Sequence, residues 1–205
     1  MNQVVDTIFQ ILIVIFSVVV HEVSHGAMAF ALGDNTAKDA GRLTLNPIPH
    51  IDMVGSILMP ILIGFGWAKP VPYNPYNLKD QKWGPFLVGI AGPASNILVA
   101  IVFGLVLRFS EFLTILGPAI LSAIFPIVII NLGLAVFNLI PVPPLDGSKI
   151  LYLFWPKDRI DLYAKFEQYG FFILLILILL FRNALSNIIF PIIGFFFRLI
   201  TGSTF

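Results

Sequence analysis

The chain has 205 residues, of which 58% are hydrophobic and only 11% charged; its formal net charge is +1 and it has no cysteine. Soluble domains carry about 25% charged residues, so this composition describes a polytopic membrane protein. It excludes disulfides, thiolate metal sites and cysteine nucleophiles, and the near-zero charge gives no footing for nucleic acid as a partner.

The first apolar run predicts a helix over about 7–32, long enough to cross roughly 30 Å of hydrocarbon. Gly33-Asp34-Asn35 stops it. It lacks the basic flank of a signal peptide and reads as a mature helix. Inside it stands His21-Glu22-Val23-Ser24-His25. Two histidines four residues apart share one helix face and can grip one metal ion, and a glutamate beside the first is placed to take a proton from water. Ionisable groups are costly in lipid, so by default they mark a functional site. The alternative is a chance pairing of histidines bonded to their neighbours.

Gly41-Arg42-Leu43-Thr44-Leu45-Asn46-Pro47 reads as a short extended piece ending in a turn. His50 and Asp52 follow as candidates for further ligands, with a polar loop contact as the alternative. The apolar stretch 53–66 is short for a span and is expected to be re-entrant or interfacial. Gly66-Trp67-Ala68-Lys69-Pro70-Val71-Pro72-Tyr73-Asn74-Pro75 is expected to be stiff and extended. It reads equally as a structural loop or as an edge onto which an unwound substrate adds a strand. The whole re-entrant and extended segment covers about 43–76.

A second span is expected over 84–107. Its Gly89-Ile90-Ala91-Gly92-Pro93-Ala94-Ser95-Asn96 stretch has small residues that allow close helix approach, with Asn96 as a packing hydrogen bond. A third span is expected over 118–140, ended by the prolines of Ile140-Pro141-Val142-Pro143-Pro144-Leu145-Asp146-Gly147. Without cysteine, a metal must be held by histidine and carboxylate. Asp146, held after a rigid approach, is the best third ligand; the alternative is a turn residue. Two imidazoles and a carboxylate leave a fourth tetrahedral position open, as in catalytic zinc sites. Asn138, near the same end of the third span, has an amide that could donate to an oxyanion, with helix packing as the alternative.

Residues 149–169 read as an interfacial amphipathic helix. The C-terminal membrane segment, about 170–200, is either one span or a helical hairpin. If 53–66 does not cross, nine of the twelve Lys and Arg share one side: Lys38, Arg42, Lys69, Lys79, Lys82, Lys149, Lys157, Arg159 and Lys165. The positive-inside rule makes that side cytoplasmic, with the helix end nearest His25 and the turn at Asp146 facing it.

The expected fold is therefore an all-α polytopic membrane protein: one domain over 1–205, with a three-helix catalytic core, a re-entrant segment and one or two C-terminal membrane helices. With His21-Glu22-Val23-Ser24-His25 in the first core helix, and Asn138 with Leu145-Asp146-Gly147 closing the third, the sequence resembles the site-2 protease family of intramembrane zinc metalloproteases. The stretches 41–47, 66–72 and 91–96 share the resemblance. It implies a Zn2+ cofactor on His21, His25 and Asp146, with Glu22 as the catalytic base and Asn138 stabilising the intermediate. It implies cleavage of a single-span membrane-protein substrate in regulated intramembrane proteolysis, within the lipid bilayer of the cell membrane. A homo-oligomer is one option. The length leaves no room for the PDZ or CBS domain that some members carry. The competing expectations are a catalytically silent member and a metal-binding scaffold or transporter. A transporter would want ionisable residues stacked through several spans, and apart from Arg182 the sequence shows almost none.

Overall fold

The structure is a computed structural model and describes residues 3–63, 66–110, 117–156 and 159–203. Among the described residues there is no strand, and five helices are long and apolar enough to cross a membrane. The chain is a multi-pass, all-α membrane protein. It divides into two units, Met1–Gly92 and Pro93–Phe205.

In the first unit, α1 (Gln3–Ala31) starts four residues before the expected Thr7. Its end is closed by backbone bonds from Gly33 to Phe30 and from Asp34 to Ala29. A short α2 (Thr36–Asp39) follows. Asp34, fully buried, ties these elements together. Its carboxylate accepts the Thr36 hydroxyl at 2.6 Å, the Thr36 N–H at 3.2 Å, the Asn77 amide at 2.8 Å and the Asn74 N–H at 2.7 Å. The core of this region is Ala29, Leu78 and Val88, with Met28, Leu32 and Tyr73 packed against it.

The apolar stretch after Asp52 is a π-helical turn (Met53–Leu58) running into α3 (Met59–Ile63). Eleven helical residues reach at most about 16 Å, roughly half the hydrocarbon thickness. The chain then doubles back, because the Trp67 N–H donates to the Gly55 carbonyl at 3.0 Å and the Ser56 hydroxyl to the Trp67 carbonyl at 2.9 Å. Met53, Ile61 and Leu62 stay exposed. From Trp67 to Asn74 the chain has no helix or turn. A residue before proline is pushed to extended backbone, which accounts for Lys69-Pro70-Val71-Pro72.

Helix α4 (Gly84–Arg108) begins in the first unit and ends in the second. The second unit continues with α5 (Pro118–Asn138), α6 (Ser148–Phe154), α7 (Ile160–Leu180) and α8 (Arg182–Thr201). Ala100, Ile124, Val128, Leu132, Ile193 and Phe197 form its core. Asn96 donates to Asn131 at 2.9 Å inside it, and both side chains are fully buried. Arg108 donates to the Leu199 carbonyl at 3.0 Å, closing orphan carbonyls at the end of α8.

The C-terminal third corrects one expectation and decides between two alternatives. The stretch 149–169 is not one amphipathic helix: α6 ends at Phe154, and the polar turns from Ile160 belong to α7 itself. No proline separates Asp161 from the apolar run after Gly170, and one helix absorbs both. Of the two options for 170–200, one span or a helical hairpin, the chain takes two helices, α7 and α8, which meet at Phe181.

Candidate metal centre

The His-Glu-x-x-His sequence lies on α1. Its spacing puts His21 and His25 one turn apart, with ring centroids 4.6 Å apart and planes at 87°. Their Nε2 atoms are 3.0 Å apart. His25 Nδ1 lies 2.6 Å from the Val88 carbonyl oxygen, which can only accept, so this nitrogen carries the hydrogen. The lone pair of His25 is thereby assigned to Nε2, the atom that faces His21. That lone pair can accept a hydrogen from His21 Nε2 or share a cation with it. Ligands held at about 2.0–2.1 Å on a tetrahedral zinc stand roughly 3.3 Å apart, so the pair fits that ion with a small adjustment.

The helix opposite leaves room for this pair. A Cβ on Gly92 would come within 3.0 Å of His25 Nε2 and of His21 Cε1 and Nε2. Any side chain there would occupy the space against the two ring nitrogens, so close approach demands glycine. Ser24, between the two histidines, is occupied structurally, its hydroxyl donating to the Val20 carbonyl at 2.7 Å. Glu22 is half-buried, and its Oε2 accepts the backbone N–H of Val71 at 2.9 Å.

In the second unit, Asp146 sits in the turn between α5 and α6. The Gly147 N–H donates to the Asn138 carbonyl at 2.7 Å, the Lys149 N–H to the Asp146 carbonyl at 2.9 Å and the Leu145 N–H to the Val142 carbonyl at 2.9 Å. The turn is thus bonded to the last residue of α5. Asn138 is that residue, and one of its two amide hydrogens goes to the Leu134 carbonyl at 2.9 Å.

His50 and Asp52 have loop roles. His50 is buried, with Nε2 3.0 Å from the Thr44 carbonyl oxygen. Asp52 caps the π-helical turn by accepting the Gly55 N–H at 2.6 Å. Asn96 is the packing hydrogen bond that its surroundings suggested. Sequence reading missed Asp34 as a structural hub, Asn131 as the partner of Asn96, and Arg42. The Arg42 guanidinium is buried and donates to the Lys69 carbonyl at 2.7 Å. Their only signal in the sequence is polarity next to an apolar run.

The sequence model of peptidase family M50 matches residues 114–181, which hold Asn138 and Asp146. The chain is also 41% identical over 174 residues to "Putative zinc metalloprotease YwhC" of Bacillus subtilis, covering 82% of this chain and 79% of that protein. The chain belongs to peptidase family M50. A further relative, "Putative zinc metalloprotease Rip2" of Mycolicibacterium smegmatis, is 30% identical over 193 residues, covering 89% of this chain and 70% of the relative. "Zinc metalloprotease MJ0392" of Methanocaldococcus jannaschii is 28% identical over 151 residues, which is 35% of its length. No solved structure matches significantly. As an M50 peptidase the chain is a zinc metalloprotease. His21 and His25 present a pair of imidazole nitrogens 3.0 Å apart, a spacing at which they could share one metal ion.

Proposed function

We propose that this M50 peptidase is an intramembrane endopeptidase, cutting single-span membrane proteins in or near their transmembrane segment as a step of regulated proteolysis. The observation that carries the reading is the His21–His25 pair, with Nε2 atoms 3.0 Å apart on a helix long and apolar enough to cross a membrane. A protease site buried in a spanning helix meets substrates that also lie in the bilayer.

In this reading His21, His25 and Asp146 hold the zinc, a donor set of imidazole and carboxylate that suits the ion. Zinc, when bound, supplies Lewis-acid polarisation and makes water a nucleophile near neutral pH. Glu22 takes the proton from the attacking water and returns it to the leaving amine. Asn138 donates its second amide hydrogen to the developing oxyanion. The distribution of Lys and Arg supports an N-terminus outside and an active site toward the cytoplasm.

The extended segment supports the structural-loop role more than strand addition. Its N–H groups at Trp67, Lys69, Val71 and Asn74 donate within the chain, and Pro70 and Pro72 have none.

The test measures zinc per chain and cleavage of a tagged single-span substrate in detergent, comparing the wild type with Glu22→Gln. Zinc near one per chain in both, with cleavage by the wild type alone, is the expected result. Zinc without cleavage of any single-span substrate would favour a silent scaffold. An absence of zinc with intact helices would remove the histidine pair as ligands.

A further inference from the structure

Arg42 is buried to 7% exposure, and its Nε makes no hydrogen bond. A buried guanidinium with an unsatisfied N–H costs stability, and an apolar residue of similar volume would serve packing as well or better. Its presence therefore asks for a role beyond packing. The contacts point to one. Arg42 donates to the Lys69 carbonyl at 2.7 Å, while the Lys69 N–H donates to the His50 carbonyl at 2.9 Å. The peptide groups on both sides of Lys69 are thus held.

Glu22 grips the same segment at the Val71 N–H, 2.9 Å away. Only Pro70 separates the two gripped groups. The Lys69 carbonyl belongs to the peptide entering Pro70, and the Val71 N–H to the peptide leaving it. The proline ring fixes φ of Pro70, so one soft dihedral remains between them. The Val71 side chain seats over Gly26, one turn along α1 from Glu22, with Leu43 beside it; a Cβ on Gly26 would lie 2.7 Å from Leu43 Cδ2 and 2.8 Å from Val71 Cγ1. Arg42 therefore sets where the Val71 N–H lies, and that N–H sets which way the Glu22 carboxylate points.

We propose that Arg42 is a positioning residue for Glu22, acting through the Lys69 carbonyl, Pro70 and the Val71 N–H. The proposal rests on the reading of Glu22 as the proton-transferring group. A general base contributes roughly 10²–10⁴-fold to rate, and a carboxylate that turns freely forfeits part of that.

The experiment uses the purified full chain in detergent and three variants. Arg42→Met keeps the stem and removes the donor, Arg42→Lys keeps a donor, and Pro70→Ala frees the locked dihedral. Expected for Arg42→Met is a fall in kcat of about 10- to 100-fold with KM and zinc content unchanged. The Val71 amide should exchange hydrogen at least about tenfold faster, while the amides of α1 keep their protection. Arg42→Lys should recover most of the kcat. Should Arg42→Met fail to fold, Pro70→Ala carries the test, with kcat lowered and Val71 exchange raised. Undiminished kcat in a folded Arg42→Met, or unchanged Val71 exchange, overturns the proposal alone. A wild type that binds zinc and cleaves nothing overturns the reading of Glu22 as the base, and the proposal with it.

Discussion

His25 Nδ1 and the Val88 carbonyl oxygen are 2.6 Å apart, and that one bond decides which nitrogen of His25 is basic. The carbonyl holds the hydrogen on Nδ1 and directs the Nε2 lone pair toward His21. One turn further along α4, Gly92 keeps the space in front of that lone pair open. Gly92→Ala is therefore expected to lower zinc occupancy and abolish cleavage, because its methyl lies within 3.0 Å of both imidazoles. Helix content should stay the same, since alanine is the better helix former by about 1 kcal/mol. Zinc per chain by elemental analysis beside circular dichroism checks this; full zinc occupancy would show that the rings face elsewhere.

Asp146 and Glu22 are both carboxylates, yet their losses should read differently. Removing a metal ligand should weaken zinc binding more than the 10- to 100-fold typical of residues that merely support ligands, so Asp146→Ala should exceed about 100-fold. Glu22→Gln keeps the shape of the side chain and should retain zinc while losing cleavage. Competition against a chelator of known affinity separates the two, and unaltered zinc affinity in Asp146→Ala would remove it as a ligand.

The sequence carried the spans because apolar length is sufficient to define them: α1, α4 and α5 lie within a few residues of 7–32, 84–107 and 118–140. The histidine pair was legible because a spacing of four is one helical turn. The α6–α7 region was less so, because charges at 157–167 resemble an interfacial helix whether or not an apolar helix continues beyond them. Asp34 and Arg42 were not legible as hubs. Their partners, Asn74, Asn77 and Lys69, lie some thirty to forty residues away, and no local period announces a contact across a loop. For Asp34 only the surrounding fold explains why a carboxylate is fully buried.

That burial gives Asp34 a defined pH response. Burial pushes its carboxyl up, but hydrogen bonds from the Thr36 hydroxyl, the Asn77 amide, the Asn74 N–H and the Thr36 N–H outweigh it and hold the group below the usual carboxylate range. A folded-state value below the unfolded one of about 3.9 means that the ionised carboxylate stabilises the fold above that pH. The contribution is lost as pH falls through the lowered folded-state value. Asp34→Asn turns an N–H2 toward groups that are all donors and should cost about 1–3 kcal/mol near neutrality. The gap between wild type and variant should narrow below about pH 4. Unfolding in detergent at neutral and acid pH tests this, and a gap that widens on acidification would reverse the sign.

Asn96 and Asn131 make a prediction of modest size. Both are fully buried, and Asn131 also donates to the Ile127 carbonyl at 2.9 Å, one turn back on α5. Side-chain hydrogen bonds between membrane helices are worth about 0.6 kcal/mol on average and at most about 1.7. Asn96→Leu removes that bond and leaves the Asn131 oxygen without the Asn96 donor, so it should cost about 1–2 kcal/mol. Replacing both by leucine should cost less than the sum of the single changes, because neither polar group is then stranded. A double-mutant cycle of unfolding free energies in detergent measures the coupling. Strict additivity would mean that each asparagine is satisfied independently, and that the pair does not lock α4 to α5.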